Sequence, residues 1–352
     1  MIRQAALMLA LTASLNAQEA ARGFELATTL SGGLYHSHQL TDGPVNGGFR
    51  AMLYPTLKLS DRWSASAAVQ FVSSPYFREQ FDAPRDFHAN VLQAQVTYSR
   101  VSQNKSFALR MGQLSSVFGA FLLRYDDSTN PLPDMPLGYG YYYKSVTTLG
   151  LPGVQLDASI GKLDLRGQFT NSSPANRRTL LDSDQYGSYT AGAGYTLRQG
   201  FRIGASFNRG PYLHRQHAFF FPGEARPKDL PATSFGLDVQ YGRGPWNAYG
   251  EWQTHQRDYK AIPNFIYKTG YAELRRVLTP RWYLATRLDY ERASAYPGRE
   301  LLDLAVGFRP NRHQLIKAGY AFAFGPAIRG SLGNVFSLQL ITNLRPISIA
   351  GN

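Results

Sequence analysis

Apolar and polar positions alternate with a period of two along most of the chain, and helical spacing is nearly absent. In Trp63-Ser-Ala-Ser-Ala-Ala-Val-Gln-Phe71 the odd positions are apolar and most even ones are small or polar. Leu163-Asp-Leu-Arg-Gly-Gln-Phe169 and Phe201-Arg-Ile-Gly-Ala-Ser-Phe207 repeat the pattern. Sixteen strands follow, at about 24–36, 48–59, 62–73, 87–100, 106–114, 153–161, 162–170, 186–197, 200–208, 232–242, 245–256, 265–278, 281–293, 300–309, 312–322 and 334–344. Successive side chains of a strand point to opposite faces, so each strand has one apolar face. A sandwich and a barrel both meet that condition, and the connections must decide between them.

After even-numbered strands the connections are tight, as at Ser60-Asp61, Gly161-Lys162, Arg198-Gln199, Arg243-Gly244, Thr279-Pro280 and Pro310-Asn311. After odd-numbered strands most are long, at 74–86, 115–152, 171–185 and 209–231. Short and long connections in strict alternation over an even strand number are the layout of a transmembrane barrel. Aromatic positions agree. Trp63, Trp246 and Trp282 directly follow short turns, and Tyr98, Tyr195 and Tyr241 end strands just before them, all on the apolar parity. Such rings form a membrane-interface girdle. The predicted fold is therefore all-β, a 16-stranded antiparallel transmembrane β-barrel. Two local irregularities are expected: a bulge at Pro55, and a change of parity midway along strand 12.

Composition adds the compartment. Residues 1–17, MIRQAALMLALTASLNA, combine an early charge, an apolar stretch and small residues before Gln18, the pattern of a secretory signal peptide. Residues 18–352 then form the barrel, exported through the Sec pathway. The chain has no cysteine, so no disulfide supports the fold. No later run reaches the roughly 18 apolar residues of a membrane helix, but a closed barrel crosses a bilayer without one.

The formal charge of +13 suggests an anion channel or a nucleic-acid partner until the charges are sorted by position. On the lumen parity lie the bases Arg50, Lys58, Arg110, Arg166, Arg202, Arg287 and Lys317. The acids there are Glu25, Asp157, Asp164, Asp238, Glu251, Asp289, Glu291 and Asp303. The wall is balanced, and much of the excess sits at the short-turn rim, for example at Arg62, Arg100, Arg243 and Arg281. Rim charges beyond a Debye length of roughly 8 Å are screened, so the expected anion preference is weak. No basic aromatic platform or helical stripe points to nucleic acid. Neither a nucleophile elbow, nor a zincin helix, nor a phosphate-cradling glycine loop is present. The histidine pairs His36/His38 and His214/His217 lack further ligands at metal spacing. No catalytic residue, metal or cofactor is expected, and the chain reads as a non-enzyme.

Sixteen strands enclose an aqueous channel rather than a filled interior. With one dominant loop after the fifth strand, the chain resembles general bacterial porins. Locally, Arg110-Met-Gly-Gln113 followed by Val117-Phe118-Gly119 is similar to the Arg-x-Gly-Gln…Pro-Phe-Gly signature of the phosphate-selective-porin-like (porin O/P) group, with Val117 at the proline position. The resemblance implies that residues 115–152 fold inward as a constriction loop. It also implies passive, weakly selective diffusion of small hydrophilic solutes and ions across a Gram-negative-type outer membrane. The implied partners are outer-membrane lipid, the barrel-assembly machinery and two further copies in a homotrimer. Candidate constriction residues are Arg124, Asp126, Asp127 and Asp134 of the loop, with Arg50, Lys58 and Arg110 across the pore. Tyr139, Tyr141, Tyr142 and Tyr143 form a candidate aromatic track for sugar rings. Two other readings stay open: a substrate-specific uptake channel for phosphate, another anion or oligosaccharide, and a non-conducting barrel for adhesion or as an enzyme scaffold.

Overall fold

A computed structural model describes residues 22–37, 44–76, 85–139, 149–173, 186–211, 229–294, 296–325 and 333–350, with a few positions between them. The expected signal peptide 1–17, the tyrosines 141–143 and His38, His214 and His217 lie outside the described residues. The strands are β1 (Gly23–Ser37), β2 (Val45–Lys58), β3 (Trp63–Ser74), β4 (Asp86–Ser102), β5 (Lys105–Leu114), β6 (Leu151–Ile160), β7 (Leu163–Asn171) and β8 (Gly187–Arg198). They continue as β9 (Phe201–Pro211), β10 (Pro231–Arg243), β11 (Trp246–Arg257), β12 (Phe265–Val277), β13 (Trp282–Ala293), β14 (Tyr296–Phe308), β15 (Gln314–Phe324) and β16 (Val335–Asn343). Every strand pairs antiparallel with its sequence neighbour, and β1 pairs with both β2 and β16, so the ring is closed. The closed ring leaves no strand with an open edge, which is what a bilayer requires of strands.

A short β17 (Ile347–Ala350) resumes the last strand against the start of β1. Thr29 faces Asn343 and Leu26 faces Ile347, so residues 344–346 oppose only Ala27 and Thr28. That one extra residue, beside Pro346, resets the side-chain alternation. It leaves Ile347 and Ile349 outward and exposed, in line with Leu338 and Leu340.

The exposed face is apolar. Leu30, Phe49, Leu156, Ile203, Leu237, Leu284 and Leu304 project from it, while the facing parity carries buried Arg50, Gln168, Glu251, Arg287 and Gln339. At the short-turn end the girdle positions meet across strands. Trp63 packs on Tyr98 with ring centroids 5.1 Å apart, Phe201 on Tyr241 at 6.1 Å, and Trp282 on Phe308 at 4.3 Å. Trp246 is outward with the Arg276 guanidinium 4.9 Å above its ring, and Tyr195 faces Leu163 on the same surface.

Both expected irregularities resolve differently. At Pro55 there is no bulge: Leu53 faces Val69 and Thr56 faces Ser66, so the register is kept and the ladder skips Tyr54 and Pro55. Pro lacks the N–H for that rung, and the rest of the ladder holds the strand in place. The bulge lies one hairpin on, where Ala68 faces Gln93 but Val69 faces Val91, with Leu92 as the extra residue. In β12 the parity is constant from Phe265 to Val277, with odd positions inward. What changes is chemistry, because Tyr267 and Tyr271 point inward while Lys268 and Arg276 point outward.

Candidate channel constriction

The segment after β5 starts at a prepared corner. Gly112 has φ +132° and lies against the Ala94 carbonyl, where a side chain has no room. Gln113 is fully buried; its Nε2 donates to the Val91 carbonyl at 2.6 Å and its Oε1 accepts from the Leu181 N–H at 2.9 Å. The chain then follows inward-facing side chains around the ring. Gln168 of β7 donates to the Ser115 carbonyl at 2.8 Å, Gly119 N–H donates to Ser206 of β9 at 3.2 Å, and Ala120 N–H donates to Glu251 of β11 at 3.2 Å. Gly119, with φ +76°, faces the Glu251 carboxylate and the Tyr139 hydroxyl so closely that any β-carbon would displace them.

A short 3-10 turn, Phe121–Arg124, comes next. Phe121 packs on Tyr271 of β12, and Arg124 bonds Glu273 of β12, donates to the Tyr271 hydroxyl at 3.2 Å and stacks 3.7 Å over the Tyr249 ring of β11. Leu122 and Tyr125 instead pack against Met52, Ala68 and Leu92 on β2, β3 and β4. In a ring of sixteen, β4 and β12 are opposite. Five consecutive residues thus touch both sides of the barrel.

Beyond the turn, charges hold the chain. Arg50 of β2 donates to Asp127 at 3.1 Å and to the Tyr125 carbonyl at 3.2 Å, with its guanidinium 4.3 Å over the Tyr125 ring. Tyr76 donates to the other Asp127 oxygen at 2.8 Å, and Gln339 of β16 donates to Tyr76 at 2.7 Å. Lys317 of β15 donates to the carbonyls of Asp127 and Leu132, at 2.7 and 3.1 Å. Burial opposes the charge on Asp127, but Arg50 and Lys317 outweigh it and hold the carboxyl below its ordinary range. Tyr54 of β2 bonds the neighbouring Asp126.

The return path runs along β13 to β11. Arg287 of β13 donates to the Asp134 and Met135 carbonyls at 3.1 and 2.9 Å while pairing with Asp289 and Asp303, each at 2.8 Å. The Asp134 carboxylate accepts from the Met135 N–H at 2.7 Å. Tyr139 is buried, donating to Glu251 at 2.7 Å and accepting from Gln253 at 3.0 Å.

Of the wall cations singled out in the sequence, Arg50 meets a loop acid. Lys58 sits 3.9 Å from Asp61 at the first short turn, and Arg110 pairs with Asp157 of β6 at 3.2 Å. Glu273, Arg287 and Lys317 hold the segment; sequence parity places only the last two in the lumen, because the inward tyrosines of β12 imitate a parity shift around Glu273. Sequence spacing also gave no hint that His255 of β11 would lie 2.8 Å from Ser234 of β10 and 3.0 Å from Gln253. All three are buried, beneath Phe118, whose ring centroid is 5.6 Å from the imidazole.

No family model matches the sequence, and no curated protein matches it either. Solved structures do. OmpF of Salmonella typhi, in complex with daunomycin, aligns with a TM-score of 0.63 at 8% identity, over 91% of this chain and 97% of that one. The fold is that of a sixteen-stranded outer-membrane porin. An anion-selective porin from Comamonas acidovorans shares this porin fold with a TM-score of 0.60 at 9% identity, over 92% and 98% of the two chains. The trimer form of OmpT, an outer membrane protein of Vibrio cholerae, gives 0.59 at 13% identity, over 92% and 99%.

Proposed function

We propose that the chain is an integral outer-membrane porin whose segment 115–152 narrows an aqueous passage for small hydrophilic solutes and ions, driven by their gradients alone. The observation that carries this reading is the run from Phe121 to Tyr125, whose side chains contact β2–β4 on one side and β11–β12 on the other. A strand count that leaves an aqueous lumen, crossed by one segment of its own chain, is the arrangement of a size-limiting channel. Weak ion selectivity follows from pairing, since Arg50, Arg124 and Arg287 each face a carboxylate and offer no uncompensated ring of one sign. The same pairing makes Asp127 and Arg50 a clamp on the segment rather than a field across open water. Export through the Sec pathway, assembly by the barrel-assembly machinery, a homotrimer and the absence of catalysis belong to the same reading.

A second reading, a solute-specific uptake channel, is favoured by the burial of residues 130–139, which pack against inward-facing Tyr283 and Arg287 and take up part of the lumen. Swelling of liposomes carrying the refolded protein, in sugars of graded size, separates the two. A smooth fall of rate with size supports size exclusion, one solute far off the curve supports specificity, and no swelling with any solute rejects both.

A further inference from the structure

The constriction leaves one charged stretch of wall unused. It runs over β5 to β10 on the short-turn side of the crossing segment, and it alternates in sign: Arg110, Asp157, Arg166, Asp164, Arg202, Asp238. Arg202 grips Asp164 through two bonds, at 3.0 and 2.6 Å, and Asp238 through a third at 2.6 Å. It lies flat across Gly194 of β8 and Gly204 of β9, where any β-carbon would meet its guanidinium or the Asp238 carboxylate. The other end of the row is looser. Arg166 stands 3.8 Å from Asp164, and Arg110 reaches Asp157 through Nε alone, an atom without a hydrogen bond of its own.

Exposure follows the same gradient. The Arg110, Asp157, Arg166 and Asp164 side chains keep 31, 23, 20 and 22% of their surface, whereas Arg50, Glu273 and Arg287 at the constriction keep none. A guanidinium carries five N–H donors, and a single ion-pair contact on a side chain that keeps 31 or 20% of its surface does not use them all. Wetted ion pairs of this kind add little to stability, so holding the barrel together does not account for a row of six.

Resting on the reading of the chain as a channel, we propose that this row is a binding track for amphoteric solutes, small molecules carrying both a carboxylate and an ammonium group. The carboxylate accepts from Arg110 and Arg166. The ammonium donates to Asp157, whose oxygens also take the Gln155 Nε2 at 3.0 and 2.8 Å, while Asp164, held by Arg202, adds its charge nearby. A simple anion meets the two arginines but is repelled by the acids between them, and a simple cation meets the reverse. Only a solute of both signs satisfies neighbouring sites together. Gly192 of β8, opposite Arg166, lets the Val117 carbonyl of the crossing segment come within 3.7 Å of the position a side chain would take, so the segment borders the row on this side.

Liposome swelling with the full-length mature protein tests this, using alanylalanine against a neutral sugar, a monoanion and a monocation of similar size. Alanylalanine entering about fivefold faster than each is the expected result, as is a fall of the alanylalanine-to-sugar rate ratio to about one in Arg110→Gln/Arg166→Gln. Asp157→Asn is the second variant, and it is expected to favour the monoanion instead. Equal rates for all four solutes, or an advantage that survives both variants, overturns the track and leaves the channel standing. No entry of any solute overturns the channel and the track with it.

Discussion

Asp127→Ala removes the acceptor on which the crossing segment closes. Arg50 and Asp127 are both buried, with side-chain exposures of 0 and 3%. Their carboxylate also takes the Tyr76 hydroxyl, so truncation leaves a guanidinium and a phenol without that partner. Breaking a buried pair by deleting one member costs about 3–5 kcal/mol, because the survivor stays uncompensated. Lys317 loses the nearby charge but keeps its two carbonyl bonds, which moves the expected value toward the lower bound. The barrel ladder does not pass through Asp127, so the whole loss falls on residues 125–132 and their neighbours. Local opening thus becomes more populated by a factor on the order of 100. Single-channel recording should show larger and noisier steps for Asp127→Ala than for the wild type. Limited proteolysis should reveal new cleavage near Leu123, which is already exposed. Asp127→Asn, which keeps shape and one acceptor, should fall between. Unchanged conductance together with an unchanged cleavage pattern would refute the clamp.

Other outcomes follow from the same geometry. Because Asp127 is held below its ordinary range, its contribution is fully present above the unfolded value of about 3.9 and is lost only as pH falls through the lower folded value. The Asp127 clamp is therefore expected to hold from pH 8 to pH 5, and a conductance transition in that interval that Asp127→Asn abolishes would contradict the assignment. Gly119→Ala forces a β-carbon at φ +76° against Glu251 and Tyr139 and should destabilise the segment by more than about 1 kcal/mol, visible as earlier proteolysis on warming. Trp282→Ala removes the stacked pair with Phe308 and should lower unfolding stability in lipid by about 0.5–1.5 kcal/mol beyond the lost area, measured by urea titration.

How far the sequence reaches depends on which rule governs each element. A strand with lipid on one side and water on the other must alternate, so all sixteen strands are legible within a few residues. The outward aromatics are legible for the same reason: Trp63, Trp246 and Trp282 open their strands directly after short turns, on the exposed parity. Strand β12 breaks the rule, because Tyr271 faces the Phe121 turn and Tyr267 bonds Glu291 of the wall beside His255, and inward aromatics imitate a shift of parity. Glu273 was lost with them. Pro55 misleads in another way, since a missing donor needs only a skipped rung and not an extra residue. For the constriction, chain position marks 115–152 as the long loop, and its acids are visible. Which walls they meet is not, because Arg50, Lys58 and Arg110 share one parity and only the path of the segment tells them apart.

Planar-bilayer recording of the refolded wild-type protein across a KCl gradient tests the central claim most directly. Discrete ohmic steps, with a reversal potential corresponding to less than about tenfold preference for either ion, are the predicted result. A folded, inserted barrel that passes no current would contradict the account.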